Sequence, residues 1–285
     1  MQNPRGLPEL FTGRRRFLWI GLAALVLVTF FIILRFPYHR LAQYVAVALQ
    51  RETGVVVSFQ DFGPALHLQG PGFRANGVRI ASGEEMLLVD AASVRPAWSS
   101  SWLLGRPALY IELEGAAGIV AGTLTTGSEA GFAGMLQDVD MAALPLSAFG
   151  TGFEIDGLGD IEIDLKNGSE GPEGWVRFEV AEGSLALADF PMAIPFDRLT
   201  GSVTFGGDPF ATIDTFDLDG PLLKAQVTGS IGRAPEPAMA PLDLQIQIVA
   251  KSAIQPALAS AGVRLDSEGG ARIRISGTAA EPLVR

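Results

Sequence analysis

The sequence predicts a mainly β protein, a long antiparallel sheet with a few short helices, behind a single N-terminal membrane helix. Three observations carry this expectation. First, stretch after stretch alternates apolar and polar residues. "GPLLKAQVTGSI" (220–231) sets Leu223, Ala225, Val227 and Ile231 against Lys224, Gln226, Thr228 and Ser230. "LDLQIQIV" (242–249), "ARIRISG" (271–277), "IEIDL" (161–165) and "LYIELE" (109–114) repeat the pattern. A period of two gives a strand one oily face and one wet face. Second, clusters of Gly, Asp and Pro punctuate the chain at 156–160, 168–174, 206–209 and 217–221, as turns between strands do. Third, residues 17–34 carry no charge.

Composition agrees. The chain has 285 residues, with 34 Gly, 18 Pro and 48% apolar residues, which suits a turn-rich β protein and not a disordered one. It has no Cys, so disulfides, thiolate catalysis and Cys-based metal sites are excluded. Charge is unevenly placed. Residues 1–40 hold six arginines against Glu9, and the rest holds 15 basic against 30 acidic residues. So acidic a body repels phosphate backbones, and nucleic acid is not an expected partner.

In chain order, residues 1–16 read as a basic cytoplasmic N-terminus. Residues 17–34, "FLWIGLAALVLVTFFIIL", read as an uncleaved signal anchor. Eighteen helical residues span about 27 Å, close to the hydrocarbon thickness. Thirteen are Leu, Ile, Phe or Val, worth about −4 to −8 kcal/mol of insertion free energy as an upper bound. A cleaved signal peptide would end in a small-x-small site, and "IILRFPY" offers none. Arg14, Arg15 and Arg16 favour a cytoplasmic N-terminus, although Arg35 and Arg40 flank the other end. The expected location is therefore a bacterial inner membrane, single pass, with the bulk in the periplasm.

Pro37 restarts the chain. Residues 35–54 predict an amphipathic juxtamembrane helix with Leu41, Tyr44, Val45, Ala48 and Leu49 on one face, stopped by Gly54. Residues 55–285 then form one periplasmic β module of about a dozen strands. Three short helical breaks are expected, at 99–104, 138–147 and 252–261. Residues 127–137, "GSEAGFAGMLQ", read as a hinge between two halves. Strand 212–218 changes face after Ile213, which predicts a bulge near Asp214 and Thr215. The oily faces must be covered, by two sheets closing as a sandwich or by one sheet curling into a groove. Three short helices are too little cover, so a curled sheet with an apolar concave side is expected.

Candidate chemistry is sparse. His39 follows the anchor and His67 sits in "ALHLQ"; two His so placed do not make a metal site. Asp160, Glu162 and Asp164 line one face of a strand. They have the chemistry to attract a cation, but they also read as the wet face of an amphipathic strand. Gly150, Gly152, Gly157 and Gly159 lack the strand–GxGxxG–helix context and read as turns. Asn167 opens an Asn-Gly-Ser sequon, discounted in a bacterial-looking chain. No catalytic, cofactor-binding or metal-binding residue is assigned, no cofactor is expected, and the protein is not expected to be an enzyme.

The order of parts resembles a known family. The marks are "RFPYHRLAQYVAVALQRETGVVV" after the anchor, "LLVDAASVRPAWSSSWLLGRPALYIELEGAAGIVAGTL", "VDMAALPLSAFGTGFEIDGLGDIEIDL" and the closing "RIRISGTAAEP". In these the chain resembles type II secretion system protein N (general secretion pathway protein N, GspN), a group related to AsmA-like proteins. The resemblance implies a non-enzymatic inner-membrane-anchored periplasmic component of a type II protein secretion system. Its partners would be the inner membrane bilayer and other secretion-machinery subunits. The AsmA-like relation implies the alternative, an envelope protein whose apolar β groove binds acyl chains or transfers lipid for outer-membrane biogenesis.

Overall fold

The computed structural model describes residues 19–25, 27, 28, 31, 35–53, 56–67, 70–82, 85–97, 107–116, 118–127, 130–143, 153–187, 190, 192–260 and 262–284. Those described within the predicted span 17–34 are helical; the others of that span lie outside the described residues. Among the described residues no helix is long and apolar enough to cross a membrane.

The rest is mainly β. After helix α1 (Tyr38–Thr53) come β1 (Val56–Ser58), β2 (Asp61–His67), β3 (Gly70–Ser82), β4 (Glu85–Pro96), β5 (Ala108–Gly115), β6 (Gly118–Thr125) and β7 (Gly131–Asp140). A 3-10 turn (Met141–Ala143) leads to β8 (Phe153–Gly168), β9 (Gly171–Leu187), β10 (Ile194–Phe205), β11 (Ala211–Asp219) and β12 (Leu223–Ile231). A second 3-10 turn (Pro237–Met239), β13 (Pro241–Ala250), helix α2 (Gln255–Ser260), β14 (Gly270–Thr278) and β15 (Pro282–Val284) follow. From β3 to β15 every strand pairs antiparallel with the next, in one 15-stranded sheet; β1 and β2 share the far side of β3. Several of the hairpins close through short turns that carry Gly, as at Gly115–Gly118 and Gly168–Gly171.

The expected hinge at 127–137 is corrected. Residues 131–140 are β7, a central strand bonded to β6 and β8. Its glycines hide it from propensity, yet they are what the pairing requires. Gly134 faces Gly122 across the β6–β7 pair. A Cβ on Gly134 would stand 2.5 Å from the Ala121 carbonyl oxygen and 2.7 Å from Gly122 Cα, and Phe132 closes over the pair. The predicted break at 138–147 shrinks accordingly. Strand continues through Asp140, a single 3-10 turn follows, and 144–147 lie outside the described residues. The break at 99–104 also lies outside them. The break at 252–261 contains α2, which is stopped at Gly262 in the left-handed region (φ +86°), with Val263 N–H donating to the Leu258 carbonyl.

The bulge expected at Asp214 and Thr215 is present. Val203 pairs with Ile213 while Ser202 pairs with Thr215, and the register with β12 jumps from Ile213 to Phe216. Asp214 accepts from the Thr204 hydroxyl at 2.7 Å. The face assigned to α1 is corrected in part. Tyr44 is 74% exposed and Ala42 is buried. Among the described side chains Tyr38, Ala42 and Ala46, at i, i+4, i+8, are the covered ones, and the side chains of Leu41, Val45, Ala48 and Leu49 lie outside the described residues. The helix contacts β1 and β2, and Tyr44 is left outward. Phe36, Tyr38, Phe73 and Phe62 form a chain of aromatic contacts from the start of α1 into the sheet, with centroids 5.1–6.4 Å apart.

Candidate functional site

The register assembles side chains that are far apart in sequence into rows. One row crosses the sheet from β2 to β14: Phe62, Ala75, Ala92, Leu113, Val120, Leu136, Ile161, Phe178, Gly201, Phe216, Val227, Ile246 and Ile273. Every member is apolar or Gly. The next row runs from Val94 and Ile111 through Gly122, Gly134, Ile163, Val176, Val203 and Ile213 to Gly229, Leu244 and Ile275. One face of the whole sheet is therefore continuously apolar. The bulges are what keep it so. At Asp214 the extra residue returns Phe216 and Leu218 to the oily side, and a shift between Leu136 and Val139 does the same in β7.

Cover over this face is uneven. Towards one end Val139, Val180, Phe196, Leu199, Leu218 and Leu223 are buried in one cluster with Ile254 and Leu258 beside α2. Leu199 and Val180 are fully enclosed. The middle rows are only half-buried, as at Ile163, Val176, Val203, Ile213 and Leu244. Beyond them a cavity of 860 Å³ is lined by Phe210, Ile231, Ala240 and Leu242, with Arg233 and Glu170 also lining it. Arg233 donates to the Glu170 and Gly207 carbonyls and lies 3.8 Å from the Glu170 carboxylate. Such a volume is that of a small-molecule site.

The opposite face is wet. Lys224 pairs with Asp219 at 2.8 Å, Arg198 with Glu179 at 2.8 Å, and Arg274 grips Asp243 in two bonds of 2.9 and 3.0 Å. The hydrogen bond and then the charge of Glu179 hold the Arg198 guanidinium above its ordinary range; Asp243 does the same for Arg274. A raised arginine stays charged throughout the neutral range. Its contribution is present below the ordinary arginine value and is lost only as pH rises above it. These exposed pairs fix register more than they add stability.

The singled-out residues fall as follows. His39 is exposed on α1, and His67 pairs with Gly70 at the end of β2. Asp160, Glu162 and Asp164 are exposed on the wet face of β8. Asp160 holds the neighbouring strand in shape. It accepts from the Asp138 N–H at 3.0 Å, where β7 bulges and Asp138 takes φ +51°. Gly157 and Gly159 lie within β8 beside the register shift at Asp156; Gly150 and Gly152 lie outside the described residues. Asn167 is exposed where β8 turns into β9. Among the described residues no three metal-ligating side chains gather. Leu223, Val227 and Ile231 take the apolar side as expected; Lys224 and Gln226 are exposed, and Thr228, on their side and opposite the β11 bulge, is half-buried. Sequence reading missed the Phe132, Leu136 and Val139 of β7. The signal for them was the alternation inside "GFAGMLQDV", masked by its glycines.

No family model, curated protein or solved structure matches this chain.

Proposed function

We propose that the protein is a non-enzymatic envelope component of a type II protein secretion system, anchored in the inner membrane by residues 17–34, with its sheet in the periplasm. The observation that carries the reading is the apolar face, unbroken in register from β2 to β14 and half-covered in its middle. A large apolar face rimmed by polar residues is a binding surface. The sheet offers this face to other subunits of the machine. The resemblance in residues 35–57, 87–124, 139–165 and 272–282 supports the choice of machine.

One observation favours a second reading. The 860 Å³ apolar cavity beside Ile231 and Leu242 suits an acyl chain, and the protein then holds or transfers lipid. A photo-crosslinking residue at Val227 or Leu244 in living cells separates the two. Crosslinks to secretion subunits, with exported proteins retained in the periplasm of a deletion strain, are expected from the first reading. Crosslinks to phospholipid with secretion intact would replace it by the second.

A further inference from the structure

The wet face carries a separate feature. A shallow trough of 560 Å³ crosses the sheet between β5 and β9, with Tyr110 and Trp175 among its lining residues. Register puts them in one cross-strand row, Tyr110, Thr123, Ala133, Asp164, Trp175. Four strand spacings separate the two rings, about 19 Å. Between them the floor is formed by Ala121, Ala133 and Gly134, with the exposed Met135 side chain beside them. Gln137, Glu162 and Asp164 also line it, all three exposed. Among the described residues none of these three side chains makes a hydrogen bond or ion pair.

Each ring carries a guanidinium over it. The Arg95 guanidinium lies 3.9 Å from the Tyr110 ring centroid, and that of Arg177 lies 4.3 Å from the Trp175 centroid. Neither arginine lines the trough. A cation over one face fixes a ring's orientation before any ligand arrives, which lowers the ordering cost of binding.

The geometry points to a binding site for an extended, neutral oligosaccharide. Two fixed rings present flat apolar surfaces for the C–H faces of sugars. Two carboxylates and an amide supply unused acceptors for sugar O–H and acetamido N–H groups. Ala121, Ala133 and Gly134 leave room for the chain beside Met135, itself an apolar contact for a sugar face, and the span takes several sugars, not one. The carboxylates repel phosphorylated or uronic-acid chains. Tyr110, Trp175 and the three polar side chains lie on the face opposite the apolar rows, and of those rows only Gly134 and Ile163 reach the trough, so the site stands whichever reading of the apolar face holds.

The test uses the full chain in detergent micelles, titrated with the β-1,4-linked tetramer of N-acetylglucosamine by calorimetry and tryptophan fluorescence. The monomer and tetragalacturonate serve as comparisons. The tetramer is expected to bind, the monomer more weakly, and the acidic tetramer not at all. Trp175→Ala and Tyr110→Ala are each expected to weaken binding about ten-fold, and Trp175→Phe to restore most of it. Ala133→Trp fills the trough from an exposed position and is expected to abolish binding with an unchanged circular dichroism spectrum. Failure of the neutral tetramer to bind overturns the proposal. So does equal binding by Trp175→Ala and Ala133→Trp, or binding of the acidic tetramer as tight as the neutral one. A crosslinker at Ala133 that captures only protein in cells overturns it in favour of a peptide ligand.

Discussion

Val227 and Gln247 sit on neighbouring strands and on opposite faces, and they show how sharply the sheet divides its two sides. Val227 stands in the apolar row between Phe216 and Ile246. Gln247 is exposed and pairs with Arg272. An aspartate at 227 must shed water without a partner or take up a proton; because the site is half-buried, Val227→Asp should cost on the order of 1–3 kcal/mol. An aspartate at 247 stays in water beside a guanidinium, so Gln247→Asp should fall within about 0.5 kcal/mol of the parent. Urea midpoints of the two variants decide it, and equal midpoints would reverse the face assignment. This division was legible in the sequence wherever alternation is strict. At Thr228 alternation gave the face but not the exposure: the residue is on the wet side and half-buried opposite the β11 bulge, and nothing in a strand's own alternation records its neighbour's register.

Elements were legible in proportion to how little they depend on partners. The β5, β12, β13 and β14 strands announce themselves by side chains alone. The bulge in β11 was readable because the apolar residues themselves change parity after Ile213. The β7 strand was not readable, because Gly131 and Gly134 are selected by backbones that approach from β6 and β8, and those neighbours are known only once the sheet is built. In α1, periodicity alone did not show that Tyr44 is left outward. The carboxylates of β8 sort by the same logic. Asp160 anchors the β7 bulge through the Asp138 N–H, while the Glu162 side chain bonds to nothing among the described residues. Asp160→Ala leaves that N–H to water and should cost about 1 kcal/mol. Asp160→Asn keeps an acceptor oxygen and should retain most of the stability, and Glu162→Ala should be neutral within about 0.5 kcal/mol. Chemical unfolding of the three variants tests the ranking, and a Glu162→Ala loss as large as that of Asp160→Ala would remove the bulge's special place.

At the scale of the whole molecule, each strand from β4 to β15 bonds only to its sequence neighbours, so the sheet behaves as a one-dimensional array. In such arrays stability is close to a sum of local terms and nearest-neighbour interfaces, and it need not be uniform along the chain. Here it is not uniform. The larger buried cluster draws its members from β7 through β13 and the α2 region, with Val180 and Leu199 fully enclosed. The smaller cluster has only Ala75, Val78 and Val89 as buried members, with Val57, Phe59, Phe62, Ile80, Ala92 and Leu113 packed around them. Burying more apolar surface per strand raises the free energy of local opening. The β9–β12 amides should therefore exchange with deuterium slowest and the β2–β5 amides fastest, with two separable unfolding phases in urea. Mass spectrometry of peptides along the chain resolves the two regions. Leu199→Ala supplies the decisive contrast. It removes a fully enclosed side chain from the larger cluster, and should cost about 2–5 kcal/mol. That loss should speed exchange in β9–β12 while leaving β2–β5 unchanged. Equal acceleration in both regions would mean that the sheet unfolds as one cooperative unit, with coupling carried across β6 and β7 strongly enough to override the uneven core.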